Sequence, residues 1–212
     1  MKKYEFTGET KRVELWNRTA TLHRIKATVE FGFVKVGELG GWIEKEENLS
    51  HEGKAWVCGD AKVCGNAKVC GDAKVWGNAK VWGNANVCGN AKVCGDAKVW
   101  GNAKVCGDAE VWGNAKVWGN AKVWGNANVC GNAEVFLASH VLVMGSVGSR
   151  NDFTTFFRDK DNEITVKCGC FLGKIDKFLE KVTQTHGNNK YALVYRAAVE
   201  VAKLQIELTE RK

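Results

Sequence analysis

Lysine and tryptophan recur at a fixed spacing that suits an anionic, aromatic ligand. Lys80-Val81-Trp82, Lys98-Val99-Trp100 and Lys116-Val117-Trp118 follow one another at intervals of 18 residues. In an extended strand, residues two apart point to the same side, so each triplet presents an ammonium group beside an indole. An ammonium group can contact phosphate, and an indole can stack on a base. The lysines and tryptophans of these triplets are therefore the candidate binding residues, for a nucleotide or a nucleic acid.

The triplets belong to a six-residue repeat that fills residues 55–136. Its units read Ala-Lys-Val-Trp-Gly-Asn or a near copy, with Ala first, Val third, Gly fifth, and Asn or Asp sixth. Alternation along a strand directs Ala and Val inward and the second and fourth residues outward. The Gly-Asn or Gly-Asp pair suits a turn with left-handed backbone. A short strand and a turn every six residues predict a mainly β solenoid with a narrow core.

Imperfect repeats extend the solenoid in both directions, and we place it at residues 39–149. Ile43, Leu49 and His51 fall at inward positions before the first regular unit. After the last unit, the inward phase is continued by Ser139, Val141, Gly145 and Val147.

Over roughly residues 40–146 the chain resembles the hexapeptide-repeat, left-handed parallel β-helix proteins. The resemblance implies a triangular prism with three hexads in each coil and assembly into homotrimers. The segment GGWIEKEENLSHEG, residues 40–53, looks like the lead-in of a subfamily common in phages and gut bacteria. It implies a phage-associated protein in the cytoplasm of a bacterial host.

Three hexads in each coil sort the outward residues into columns on three faces. The second face stacks aromatic rings beside an almost unbroken lysine column, whereas the first and third faces are mixed. The second-face columns contain Cys64, Trp82, Trp100, Trp118 and Phe136 beside Lys62, Lys80, Lys98, Lys116 and Glu134. The corner after this face is a row of asparagines, Asn66, Asn84, Asn102 and Asn120. So much aromatic surface with positive charge predicts a partner, either another copy of the chain or an anionic ligand.

Histidine is the residue through which an enzyme of this class would act. Many relatives of this fold are acyltransferases that use a histidine near a subunit interface. The resemblance therefore implies that a catalytic histidine, if this chain has one, would lie at such an interface. The regular hexads contain no histidine. By the repeat phase, His51 points into the core and His140 points outward on the third face, which makes His140 the one weak catalytic candidate. His186 precedes Gly187 at the end of a predicted helix.

The nine cysteines do not read as a disulfide framework. Seven occupy the outward fourth position, where tryptophan is the alternative, and the total is odd. Cys168-Gly169-Cys170 would place two thiols on one side of a strand, but no second pair completes a metal site. We therefore expect a reducing compartment, no metal and no cofactor.

The segments outside the repeat are expected to cap the solenoid ends. Residues 1–38 predict a short β cap with strands at Val13–Trp16 and Leu22–Ala27 and a turn at Phe31–Val34. Residues 150–212 predict a β-hairpin, Phe153–Phe157 with Ile164–Cys168. A helix carrying Ile175, Phe178, Leu179 and Val182 on one face follows. After Gly187 as a stop and Asn189 as a cap, a second helix is predicted from about 190 to 210, with Tyr195, Val199, Ala202 and Ile206 on one stripe.

Composition leaves few classes open. The chain has no apolar segment long enough for a signal peptide or a membrane span, and its net charge of +7 permits an anionic partner without requiring one. We expect a non-enzymatic, homo-oligomeric binding or scaffold protein, with a trimer favoured, that sequesters a nucleotide-like anion or a host protein. A degenerate acyltransferase and a purely structural protein are the alternatives.

Overall fold

The computed structural model describes residues 2–15 and 18–208 and contains a parallel β-solenoid of about five turns. Each hexad forms one two-residue strand, and successive strands take their places on three sheets in rotation. The mainly β fold with a β N-terminal segment and an α+β C-terminal unit is thus confirmed.

Besides short 3-10 turns at Glu46–Asn48 and Ala138–His140, the described residues form twenty-one strands and two α-helices. They are β1 (Tyr4–Glu14), β2 (Thr19–Ala27), β3 (Leu39–Ile43), β4 (Trp56–Val57), β5 (Lys62–Val63), β6 (Lys68–Val69), β7 (Lys74–Val75), β8 (Lys80–Val81), β9 (Asn86–Val87), β10 (Lys92–Val93), β11 (Lys98–Val99), β12 (Lys104–Val105), β13 (Glu110–Val111), β14 (Lys116–Val117), β15 (Lys122–Val123), β16 (Asn128–Val129), β17 (Glu134–Val135), β18 (Val141–Val147), β19 (Asp152–Arg158), β20 (Ile164–Cys168), β21 (Phe171–Lys174), α1 (Ile175–His186) and α2 (Lys190–Gln205).

The solenoid core consists of the inward Ala and Val of every hexad, all of them fully buried. Neighbouring coils pair in parallel with residue i opposite residue i+18, as in Lys80↔Lys98 and Val81↔Val99. The first face is the sheet β4–β7–β10–β13–β16, and the third is β6–β9–β12–β15. The second face is the run β5–β8–β11–β14–β17 of a longer sheet. This in-register stacking gives the columns that the sequence predicts.

The turn glycines allow adjacent coils to approach closely. Gly89 has φ +67°, and a Cβ there would lie 2.9 Å from the backbone nitrogen of Gly107. Glycine is therefore required twice over, by the left-handed conformation and by the neighbouring backbone.

The N-terminal segment extends the second face as well as covering the first coil. The hairpin β1–β2 pairs antiparallel with β3, which pairs in parallel with β5. Tyr4 seals the open end: its hydroxyl donates to the carbonyl of Leu49 at 2.9 Å, and its ring stacks on His51 at 4.3 Å. The strand predicted at 13–16 is the end of β1, although Trp16 lies outside the described residues.

The C-terminal unit is a four-stranded antiparallel sheet, β18–β19–β20–β21, with both helices packed on it. Strand β18 pairs with β19, so residues 141–147 leave the solenoid. The expectation that Ser139, Val141, Gly145 and Val147 continue its inward phase is only partly met: Val141 packs against the solenoid core, whereas Gly145 is exposed, because pairing with β19 replaces stacking on the preceding coil.

The predicted hairpin and both predicted helices are present. Tyr195, Val199, Ala202 and Ile206 are buried, but Val194 and Val201 on α2 stay exposed. The side chain of Asn189 accepts from the N–H groups of Tyr191 and Ala192, which confirms the cap. Helix α2 ends at Gln205 rather than near 210. Within the described ranges, neither helix is long and apolar enough to cross a bilayer.

Candidate binding faces

The second face carries a continuous ladder of stacked rings. The centroids of Trp82 and Trp100 are 4.9 Å apart with planes 2° from parallel, and those of Trp100 and Trp118 are 4.9 Å apart at 4°. Phe136 extends the ladder, 5.0 Å from Trp118. All four rings are half-buried, and Trp100 and Trp118 each have a neighbouring ring on both sides.

A lysine column runs beside this ladder, since the second hexad position lies next to the fourth. Lys62, Lys80, Lys98 and Lys116 are opposite one another in register. Lys116 pairs with Glu134 at 3.0 Å. In the described part of the chain, neither Lys80 nor Lys98 has its ammonium nitrogen within 4 Å of a carboxylate oxygen. The predicted binding residues are thus brought together on one surface.

The asparagine corner of this face forms a side-chain ladder. The amide nitrogen of Asn66 donates to Asn84 Oδ1 at 3.2 Å, and the pattern repeats from Asn84 to Asn102 at 3.2 Å. These bonds link successive coils and hold the register beside the rings.

The two terminal units cover the ends of the second face and leave its middle open. At the N-terminal end, Leu22 packs with Cys64, which is only 3% exposed, and Leu15 packs near Trp82. At the other end, the Arg158 guanidinium lies 5.1 Å from the centroid of Phe136. The open part therefore runs from Trp82 to Trp118.

His140 is not an outward residue of the third face. It is fully buried in a single 3-10 turn, Ala138–His140, with its ring edge-on to Phe136 at a centroid distance of 4.2 Å. Its Nδ1 accepts from the Phe136 N–H at 3.4 Å. Burial, reinforced by Arg158, lowers the pKa of His140 to about 4. The repeat phase failed here because the hexads end at Phe136.

The first face contains a groove that the repeat pattern did not identify. The loop that holds Phe31 and Phe33 forms one wall of an open groove on this face, with a volume of about 1030 Å³. Phe31 anchors the loop by packing edge-on against Trp56 at 5.3 Å. Tryptophan and cysteine alternate along the floor, in the order Cys58, Trp76, Cys94 and Trp112. The sequence signal was present in the aromatic pair Phe31 and Phe33, but its position over this face depends on the fold.

The groove is lined by three lysines and three acidic residues, so its formal charges balance. Lys92 Nζ pairs with Glu110 at 2.9 Å, and Glu110 also accepts from Asn128 Nδ2 at 3.0 Å. Asn128 Oδ1 in turn accepts from the indole N–H of Trp112 at 2.8 Å. Lys74 Nζ lies 4.6 Å from the ring centroid of Phe33. The walls are therefore amphipathic without a dominant charge.

The cysteines are the remaining candidates for reactive or metal-binding chemistry. All nine cysteines are free, and burial raises the pKa of the Cys64 and Cys130 thiols to about 11. Cys168 and Cys170 do not share a strand, because β20 ends at Cys168 and Gly169 turns the chain with φ +54°. Among the described residues, no three His, Cys, Asp or Glu side chains lie close enough to hold a metal ion.

No protein-family model matches this chain, and no curated protein matches its sequence.

Proposed function

We propose that this chain is a non-enzymatic binding protein that engages an anionic partner through the second face. The observation that carries the proposal is the ladder of three indoles 4.9 Å apart, beside a column of lysines, between the two terminal units. The partner is a nucleotide or a single-stranded nucleic acid in the cytoplasm of a bacterial host.

The lysine column supplies the main attraction in this proposal. Because the ring faces of Trp100 are covered by Trp82 and Trp118, a base has no room to stack within the ladder. In this arrangement Lys80 and Lys98 contact phosphate groups, and the indole edges form an apolar floor. Binding then weakens as the salt concentration rises and depends little on the base sequence of the nucleic acid.

Fluorescence anisotropy with a fluorescein-labelled oligothymidylate tests the proposal. Lys98→Glu reverses one charge at the centre of the column, and we expect at least a tenfold loss of affinity and a shallower salt dependence. Lys104→Glu makes the same charge change on the third face and is the matched control. Equal affinities for Lys98→Glu, Trp100→Ala and the unchanged protein would overturn the proposal.

A second candidate role for the same surface is subunit contact in a homo-oligomer, with a trimer favoured. Its support is the in-register row of half-buried rings, which is suited to packing against another apolar surface. Light scattering on a sizing column gives the mass directly. Three times the 23.3 kDa of one chain, falling to one in Trp100→Ala, is the expected result for an interface. A monomer at all concentrations opposes it.

A further inference from the structure

The coil spacing predicts a gap in the first-face groove that is about one aromatic ring wide. On the second face, tryptophans on consecutive coils stack with centroids 4.9 Å apart. On the first face, β7, β10 and β13 are likewise in register, but Cys94 separates Trp76 from Trp112. Those two rings therefore stand two coils apart, about 10 Å along the axis by the same spacing.

A ring placed above Cys94 occupies the position that an indole would take there. It would lie about 4.9 Å from each neighbouring tryptophan, the spacing of offset-stacked rings. The small thiol leaves this space unfilled, and burial raises the pKa of Cys94, so the floor of the gap is uncharged.

The C-terminal unit and the N-terminal loop bound this gap. Beyond Trp112 the coil is covered, with Cys130 fully buried and Lys167 Nζ 5.9 Å from the indole centroid. The side of Trp112 toward Cys94 lies in the groove. Phe33 is 86% exposed at the opposite rim, where it offers a further apolar contact.

We propose that the groove binds a planar, uncharged aromatic heterocycle, inserted between Trp76 and Trp112 above Cys94. The charge on the groove walls supports an uncharged ligand, since Lys92 is paired with Glu110 and Lys54 lies 4.0 Å from Asp72. This ligand and this face are separate from the anionic partner proposed for the second face.

Riboflavin is a suitable probe, because its ring system is planar and uncharged and its fluorescence falls when it stacks on indole. We expect saturable quenching whose dissociation constant changes less than twofold between 50 and 500 mM salt, values chosen because screening is strong across about that range. Trp112→Leu removes one wall of the gap and should weaken binding by about tenfold or more.

Cys94→Trp is the decisive variant, because it fills the gap with the protein's own ring. Trp82, Trp100 and Trp118 show that three consecutive tryptophans fit this lattice, so we expect a folded protein that no longer quenches riboflavin. Cys106→Trp places the same ring beside Trp124 on the third face and should bind as the unchanged protein does.

Three outcomes would overturn the proposal. Quenching that survives Cys94→Trp means the probe is not in the gap. Displacement of riboflavin by maltose, which is uncharged but not planar, means the groove accepts sugars instead. A change in oligomer mass on Cys94→Trp means a second copy occupies the groove. Oligothymidylate binding is measured on the same variants. A failure of the second-face proposal would appear in that measurement and not in riboflavin quenching.

Discussion

Trp82 and Trp100 are 18 residues apart in the chain, yet their rings stack with centroids 4.9 Å apart and planes 2° from parallel. The parallel register of β8 and β11 places the two indoles directly above one another. The residue one coil away therefore decides whether a ring face is covered. Trp100 covers one face of Trp82, whereas Cys94 leaves the facing side of Trp76 open to the groove.

Removal of the central ring should destabilise the solenoid. Trp100 stacks on a ring at each face, so Trp100→Ala should lower the free energy of unfolding by about 2–3 kcal/mol. Trp124 is 49% exposed on the third face, so Trp124→Ala should lower the free energy of unfolding by about 1 kcal/mol or less. Urea denaturation of both variants makes the comparison. Equal losses would show that the ladder contributes nothing beyond side-chain burial.

Two glycines separate the cost of the left-handed turn from the cost of coil contact. Gly89 and Gly125 both have positive φ, but a Cβ meets the Gly107 backbone at 2.9 Å in the first case and nothing within 4 Å in the second. Gly125→Ala should cost about 1–2 kcal/mol from backbone conformation alone. Gly89→Ala should lower the free energy of unfolding by about 1–3 kcal/mol more, because its Cβ clashes with the Gly107 backbone. Thermal unfolding measures both, and a larger loss for Gly125→Ala would contradict the packing described for the turns.

Asn48 should be the most sensitive polar residue of the first coil. It is fully buried, it donates to the carbonyls of Gly65 and Ala67, and its Oδ1 accepts from the N–H groups of Glu44 and Lys45. Asn48→Ala removes these four bonds, and among the described residues only the Glu44 N–H keeps another partner, the carbonyl of Val63 at 3.0 Å, so the substitution should lower the free energy of unfolding by about 2–4 kcal/mol.

Asn66 provides the control for that substitution. It is exposed and bonds to Asn84 at 3.2 Å, so Asn66→Ala should cost about 1 kcal/mol or less. Denaturant titration of both variants tests the difference. An Asn48→Ala protein as stable as Asn66→Ala would show that the buried groups find other partners.

His140 should make the fold sensitive to mild acid. The folded protein protonates this imidazole only near its pKa of about 4, below the ordinary value of 6.5. Between these values the unfolded chain binds the proton more readily, so the contribution of His140 is complete above about pH 6.5 and is lost as the pH falls toward 4. The free energy of unfolding should fall by about 2–3 kcal/mol over this pH range.

His140→Gln removes the titration while keeping an acceptor for the Phe136 N–H. The variant should therefore lose less stability than the unchanged protein between pH 7 and pH 4.5, measured by urea denaturation at each pH. Parallel curves for the two proteins would show that another group causes the acid sensitivity.

The repeat pattern does not predict how deeply an outward cysteine is buried, as Cys64, Cys94 and Cys130 show. All three hold the outward fourth position of a hexad, and the pattern treats them alike. In the fold, Cys64 is 3% exposed beneath the N-terminal hairpin and Cys130 is fully buried by the C-terminal unit, while Cys94 is half-buried in the groove. The contacts that separate them join segments far apart in sequence, which periodicity does not encode.

His140 shows the same limit at the end of the repeat. Its outward direction followed from extending the hexad phase past Phe136, but a 3-10 turn and the pairing of β18 with β19 change that phase. Within residues 55–136 the hexad phase predicts the direction of each side chain correctly, since each unit repeats the same local sequence.

The sequence by itself determined the strand of each hexad and the Ala and Val core, because one local unit repeats without insertion and strand alternation turns every valine inward. The alignment of residue i with i+18 was implied by the resemblance to proteins with three hexads in each coil, since any whole number of hexads in a coil would keep the valines inward, and the structure shows it. Only the tertiary structure decided which parts of the faces remain open. The loop with Phe31 and Phe33, the hairpin β1–β2 and the C-terminal sheet fold back on the solenoid through long-range packing, and that packing separates the open ladder on the second face from the groove on the first.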